Sequence, residues 1–134
     1  MQEKHLPFSG QELEKITERF QTPFHIYDEK SIKDNAKKLL NAFSWNQGFK
    51  EYFAVKATPN PFLLKIFKNL GFGLDCSSFT ELLLAEETGF SGEEIMFSSN
   101  DTPAAEFVKA RELQATINLE DRKSTRLNSS HESP

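Results

Sequence analysis

Residues 52–57 read Tyr52-Phe53-Ala54-Val55-Lys56-Ala57, a short apolar run that ends abruptly in a lysine. Three similar runs follow. Phe72-Gly73-Leu74 ends in Asp75, Ile95-Met96-Phe97 ends in Ser98-Ser99-Asn100-Asp101, and Ala115-Thr116-Ile117 ends in Asn118. With Phe53, Leu74, Met96 and Ile117 as centres, the spacings are 21, 22 and 21 residues. The intervening segments carry helix signals. Asn60-Pro61 puts proline at a first helical position and Gly71 closes that helix. Ser78 and Glu81 have capping-box spacing at the start of a helix through Glu87, with Gly89 after it, and Pro103 opens a helix to about Leu113. Short apolar strands alternating with helices predict an α/β fold, a parallel sheet covered by helices. Strand ends in such a fold converge on one mouth or one edge, which gathers Lys56, Asp75, Asn100 and Asn118. A (β/α) barrel and an open doubly wound sheet both meet this pattern. A whole eight-stranded barrel takes about 250 residues. Four or five strands therefore make either a small open sheet or a piece of a larger protein.

Upstream, Ser9 and Glu12 have capping-box spacing and Leu13, Ile16 and Phe20 share one helical face, predicting a helix over 9–20. Thr22-Pro23 interrupts it. Phe24-His25-Ile26-Tyr27 reads as a short strand that half-buries His25, and Asp28 caps the next helix. There Ile32, Ala36, Leu39, Leu40 and Phe43 form one apolar stripe, with Lys30, Lys33, Lys37 and Lys38 on the wet side. Asn46-Gln47-Gly48 is a turn, and Trp45 before it is expected to pack.

The 134 residues hold 16 Lys and Arg against 20 Asp and Glu, a formal charge of −4. That balance disfavours general nucleic-acid binding. Mean hydropathy is −0.55 and no apolar run approaches the roughly 18 residues of a membrane span. Without a signal-like N-terminus, the expected location is the cytoplasm. One cysteine, Cys76, allows no internal disulfide and no cysteine-based zinc site; no metal is expected, and Cys76 reads as a small buried residue. Thirteen phenylalanines supply bulk for a core. After Asp121 the periodicity stops. Residues 122–134 (RKSTRLNSSHESP) carry +2 where the preceding chain carries −6, and read as a disordered or non-native tail. The expected organisation is a lead-in over 1–21, a barrel segment over 22–121 and this tail over 122–134.

Lys56 is the first candidate for chemistry. At a buried strand tip, desolvation favours the neutral, nucleophilic amine; alternatively the side chain reaches past the strand end into water. Asp75 is a strand-end carboxylate or an ordinary turn aspartate. Glu81 completes a capping box with Ser78, and Ser77 and Ser78 at a helix start are able to meet an anion.

Taken as an ordered set, Tyr52-Phe53-Ala54-Val55-Lys56-Ala57, Gly73-Leu74-Asp75-Cys76-Ser77-Ser78 and Thr80-Glu81-Leu82, with Thr22-Pro23-Phe24-His25-Ile26-Tyr27-Asp28 before them, resemble the pyridoxal phosphate-dependent ornithine, diaminopimelate and arginine decarboxylases. The resemblance covers about Phe8 to Asp121 and is nearest to the diaminopimelate decarboxylases. It implies the N-terminal part of a (β/α)8 barrel of the alanine racemase-like type, incomplete here. It also implies pyridoxal 5'-phosphate as cofactor, a small amino acid as substrate and a homodimer. Lys56 matches the lysine that condenses with the cofactor aldehyde, and Asp75 the aspartate that favours the protonated linkage. Ala54, Glu81 and Asn100 are further cofactor-binding candidates. Ser99 stands where many members have glycine before Asn100, and the nearby lysine is missing. Ornithine, arginine or carboxynorspermidine are therefore rival substrates, and a non-catalytic barrel homologue is a further alternative. The implied phosphate loop, pyridine-nitrogen partner and C-terminal domain have no counterpart in these residues, so the fragment is expected to be inactive.

Overall fold

The computed structural model describes residues 6–100 and 102–119. The tail reading for 122–134 falls outside them. Five helices are α1 (Gly10–Arg19), α2 (Glu29–Ala42), α3 (Pro61–Asn69), α4 (Phe79–Glu87) and α5 (Ala104–Glu112). Four strands are β1 (Tyr52–Ala54), β2 (Gly73–Cys76), β3 (Ile95–Ser98) and β4 (Thr116–Asn118). Short 3-10 turns occupy Val55–Ala57 and Gly92–Glu94.

The helix starts follow local chemistry. Ser9 and Glu12 form a reciprocal capping box, and the Asp28, Asn60 and Ser78 side chains accept hydrogen bonds from first-turn amides. Gly71 and Gly89, at φ +83° and +87°, supply the left-handed residues past α3 and α4.

All four strands are parallel, in the spatial order β1-β2-β3-β4. A doubly wound sheet reverses strand order at its switch point and places helices on both faces. Neither feature occurs among the described residues. Leu74, Cys76, Ile95 and Phe97 leave one face of the sheet and pack with Leu64, Leu82, Ala85 and Ala110 of α3, α4 and α5. A second cluster joins the Ala36 stripe of α2 to Leu63 and Phe67 of α3. Sequential winding with one helix-covered face is the barrel arrangement.

The register corrects one centre. Leu74 pairs with Ile95 rather than Met96, and Phe97 with Ile117. A one-residue offset exchanges the two faces of a strand, so Met96 lies beside Asp75 on the face away from the helices.

Two other expectations fail. Phe24–Tyr27 is not a strand, and His25, Ile26 and Tyr27 are exposed. An extended segment becomes a strand only when a neighbouring backbone pairs with it, and no described residue does so. Trp45 is 77% exposed, because the turn at 43–49 closes by stacking Phe43 on Phe49 at 4.3 Å and leaves the indole outside. The helix expected over 9–20 is present as α1, opened by the Ser9–Glu12 capping box; it buries no residue, and Phe20 at its end is exposed. The solvated lysine face of α2 is as expected, with Lys30–Asp34 and Lys33–Glu29 pairs along it. No helix among the described residues is long and apolar enough to cross a membrane.

Gly73 lies under the Tyr52 ring. A Cβ there would meet the ring at 2.5 Å and the Glu94 carbonyl oxygen at 2.8 Å, while the Tyr52 hydroxyl donates to the Glu93 carbonyl at 2.7 Å. Gly73→Ala is therefore expected to destabilise the complete apoprotein by about 1–3 kcal/mol in denaturant unfolding. A change below about 0.5 kcal/mol would show that the ring does not seat there.

Candidate functional site

The face without helices presents Tyr52, Gly73, Asp75, Met96, Ser98, Thr116 and Asn118, alternating with the core residues along each strand. Tyr52, Asp75, Met96, Ser98, Thr116, Ile117 and Asn118 line an open concavity of about 510 Å³. Asp75 is the carboxylate in it, and its Oδ1 is buried without a hydrogen-bond partner among the described residues. Native structures rarely leave such an atom unpaired, so it calls for a donor from outside the described chain.

Asp75 lies inside β2 rather than past its end, in register with Ala54 of β1 and Met96 of β3. Ala54 thus keeps a small side chain beside the carboxylate. Beyond Ala54 the backbone leaves the sheet for a 3-10 turn closed by the Thr58 amide on the Val55 carbonyl at 3.1 Å. Val55 takes the fully buried position, and Lys56 is exposed rather than desolvated. Alternation continued past β1 would put Lys56 on the Tyr52 and Ala54 face, in the row of Asp75, but the strand ends at Ala54 and the turn leaves Lys56 exposed. Asn100 is likewise exposed, on the loop after β3. Thr102 fixes that loop, its buried hydroxyl donating to the Ser99 carbonyl at 3.0 Å. The predicted mouth is therefore gathered in part. Asp75 and Asn118 share the concavity; Lys56, Ala54, Glu81 and Asn100 stand outside its lining.

The start of α4 differs from the expectation of an anion site. Glu81 Oε2 accepts from the Ser77 amide at 2.9 Å, Glu81 Oε1 from the Ser78 hydroxyl at 3.1 Å, and Glu106 Oε1 of α5 from the Phe79 amide at 3.1 Å. Three donors that would meet an anion already hold carboxylates. The Glu81 box is also shifted by one residue, bonding the amide of Ser77 instead of Ser78. Tyr52, Met96, Ser98 and Thr116 were not singled out from sequence. Period-2 alternation in the correct register would have found them. No local signal marks Glu106, whose partner is 27 residues away.

Cys76 is fully buried among the core residues. Burial, with the Glu81 and Asp75 carboxylates adding to it, pushes the thiol up to about 12. A thiol raised that far stays protonated and unreactive at neutral pH.

Comparison with known proteins gives the family. Residues 29–128 match the pyridoxal-dependent decarboxylase, pyridoxal binding domain, and the chain belongs to this family. Protein TabA of Pseudomonas amygdali pv. tabaci is 43% identical over 110 residues, covering 82% of this chain and 26% of that protein. The L-glutamyl-(BtrI acyl-carrier protein) decarboxylase of Niallia circulans is 38% identical over 87 residues, covering 65% and 20%. The crystal structure of diaminopimelate decarboxylase from M. jannaschi matches with a TM-score of 0.78 at 25% identity, over 87% of this chain and 28% of the other. The chain thus spans about a fifth to a third of these proteins, and its fold is the N-terminal part of their barrel. The family cofactor is pyridoxal phosphate. The residues present fit it in chemistry: Asp75, which lines the concavity, has a buried oxygen without a partner among the described residues, and Lys56 supplies a primary amine beyond the adjacent strand.

At pH 8, Cys76 is expected to resist iodoacetamide in the native complete protein and to react only after unfolding. Peptide mapping checks this, and rapid native alkylation at Cys76 would contradict the burial.

Proposed function

We propose that the complete protein is a pyridoxal phosphate-dependent amino-acid decarboxylase that converts meso-diaminopimelate to L-lysine and carbon dioxide. The observation that carries the decarboxylase reading is the buried, unpartnered oxygen of Asp75, a residue that lines a concavity on the helix-free face of the parallel sheet. When bound, pyridoxal phosphate supplies an electrophilic carbonyl and a conjugated ring that takes up the electron pair freed as the carboxylate leaves. Lys56 is the residue that would hold that carbonyl through Nζ, and its amine would serve to move a proton during product release. Asp75 would accept a hydrogen bond at Oδ1 from a protonated nitrogen of that group and orient it. Ala54 leaves room beside Asp75, Glu81 fixes the β2–α4 turn, and Asn100 contributes a polar contact from the loop after β3.

The substrate choice draws on the diaminopimelate decarboxylase likeness. A second reading has a specific observation behind it: Ser99-Asn100 without a nearby lysine departs from the pattern of many family members. TabA and the carrier-protein decarboxylase are relatives at 43% and 38% identity. These favour a different amine-bearing acid, among which ornithine, arginine, carboxynorspermidine and a carrier-linked glutamyl group are the candidates. A barrel without catalysis is the remaining alternative. The expected assembly is a cytoplasmic homodimer.

Carbon dioxide release by the complete protein, assayed on each of these compounds, separates the readings. Turnover of meso-diaminopimelate above the others is expected, and Lys56→Ala is expected to lower it by about 10²–10⁴-fold. Ornithine turnover with none on diaminopimelate would replace the substrate; no turnover on any would favour the non-catalytic barrel. Among the described residues the sheet has open edges at β1 and β4 and an uncovered face. The 134-residue polypeptide alone is expected to self-associate and to release no carbon dioxide. Light scattering that finds an active monomer would contradict this.

A further inference from the structure

Asp75 is paired with Ala54 and Met96 inside β2, one residue before that strand ends, and the β2–α4 turn that follows is tied at both ends. On the strand side, Cys76 stays in register with Phe97 and its sulfur lies 3.6 Å from the Glu81 carbonyl. On the helix side the Ser77 amide is held by Glu81 of the same helix. The Phe79 amide is held by Glu106, which belongs to the next strand–helix unit. Glu106 is in the first turn of α5, where its own amide donates to the Pro103 carbonyl at 3.0 Å. Through its carboxylate, this residue of the α5 first turn links the starts of the two helices.

Two consequences follow from elementary electrostatics. A helix N-terminus carries partial positive charge on its unpaired amides. At α4 that charge lies a few residues from Asp75 and would compete for its carboxylate. Glu81 takes the Ser77 amide and Glu106 the Phe79 amide, so Asp75 Oδ1, without a partner among the described residues, is left for a cationic donor. The link also makes the Asp75 turn move with the third strand–helix unit rather than as a free loop.

We propose that Glu106 is a positioning residue: by accepting the Phe79 amide it holds the α4 start, and through it Asp75, in place for a protonated nitrogen of the cofactor. The proposal rests on the decarboxylase reading. It concerns a residue outside the concavity that acts through another residue's amide.

The test uses the complete protein. Hydrogen exchange of the peptide spanning 76–82 is measured in the apoprotein, and pyridoxal phosphate affinity is measured by absorbance titration. Glu106→Ala is expected to speed exchange in that peptide and to weaken cofactor affinity about fivefold. Glu106→Gln retains an acceptor oxygen and is expected to stay within twofold of wild type in both. In an Asp75→Ala background the affinity loss from Glu106→Ala is expected to vanish, because a residue acting through Asp75 has nothing left to position. Should Glu106→Ala fail to fold, Phe79→Pro removes the same hydrogen bond from the donor side. Proline is tolerated at the first helical position, and Ser78 before it is already extended at φ −153° and ψ 164°. Unchanged exchange and affinity in Glu106→Ala would overturn the proposal, as would an affinity loss of equal size in the Asp75→Ala background. Absence of any cofactor absorbance in the wild-type protein would overturn the decarboxylase reading and the cofactor role of Glu106 with it. The exchange result would still report whether the amide link exists.

Discussion

In β2 the side chains of Leu74 and Cys76 leave on one face and that of Asp75 on the other, and the neighbouring strands keep this alternation in step through three parallel pairings. The first face is closed by α3, α4 and α5, with Leu64, Leu74, Leu82, Ile95 and Phe97 essentially removed from water. Burying each such side chain contributes about 1.5–3 kcal/mol, so a slip of register that turned them outward would cost far more than the turns could recover. The same constraint fixes where chemistry is possible. Because every helix of the repeating units lies on one side, the other face holds polar residues in rows, with a carboxylate oxygen left unpaired.

The turns convert this register into a site. Val55 closes the core beyond β1 and turns Lys56 outward. The Ser77 and Phe79 amides receive carboxylates from Glu81 and Glu106, which neutralise the start of α4 and exclude it as an anion cradle. Tyr52 lies across Gly73 at the opposite end of the strands and is tied to the Glu93 carbonyl, giving the concavity a floor. Strand ends, capped helix start and aromatic floor are three layers along one axis.

Much of this was legible in sequence because it is local. The Ser9–Glu12 box, the Asn60-Pro61 start, the Ser78 cap and the glycines after α3 and α4 are decided within a few residues, and the repeat of about 21 residues reports one strand–helix unit. The choice between barrel and doubly wound sheet was not legible from that pattern, since both share it; spatial strand order decided it. Met96 was misplaced because an apolar triplet, Ile95-Met96-Phe97, has no internal mark of which residues face the helices. Phe24–Tyr27 has strand composition but no pairing backbone among the described residues. Lys56 and Asp75 stood out through their motif, whereas Glu106 depends on two units coming together and left no trace nearby.

The central claim is that the amine beyond β1 holds the cofactor carbonyl. Reduction with sodium borohydride of the complete protein incubated with pyridoxal phosphate, followed by peptide mapping, tests it most directly. The account predicts a stable pyridoxyl group on Lys56. A group on a different residue, or none on the protein, would contradict it.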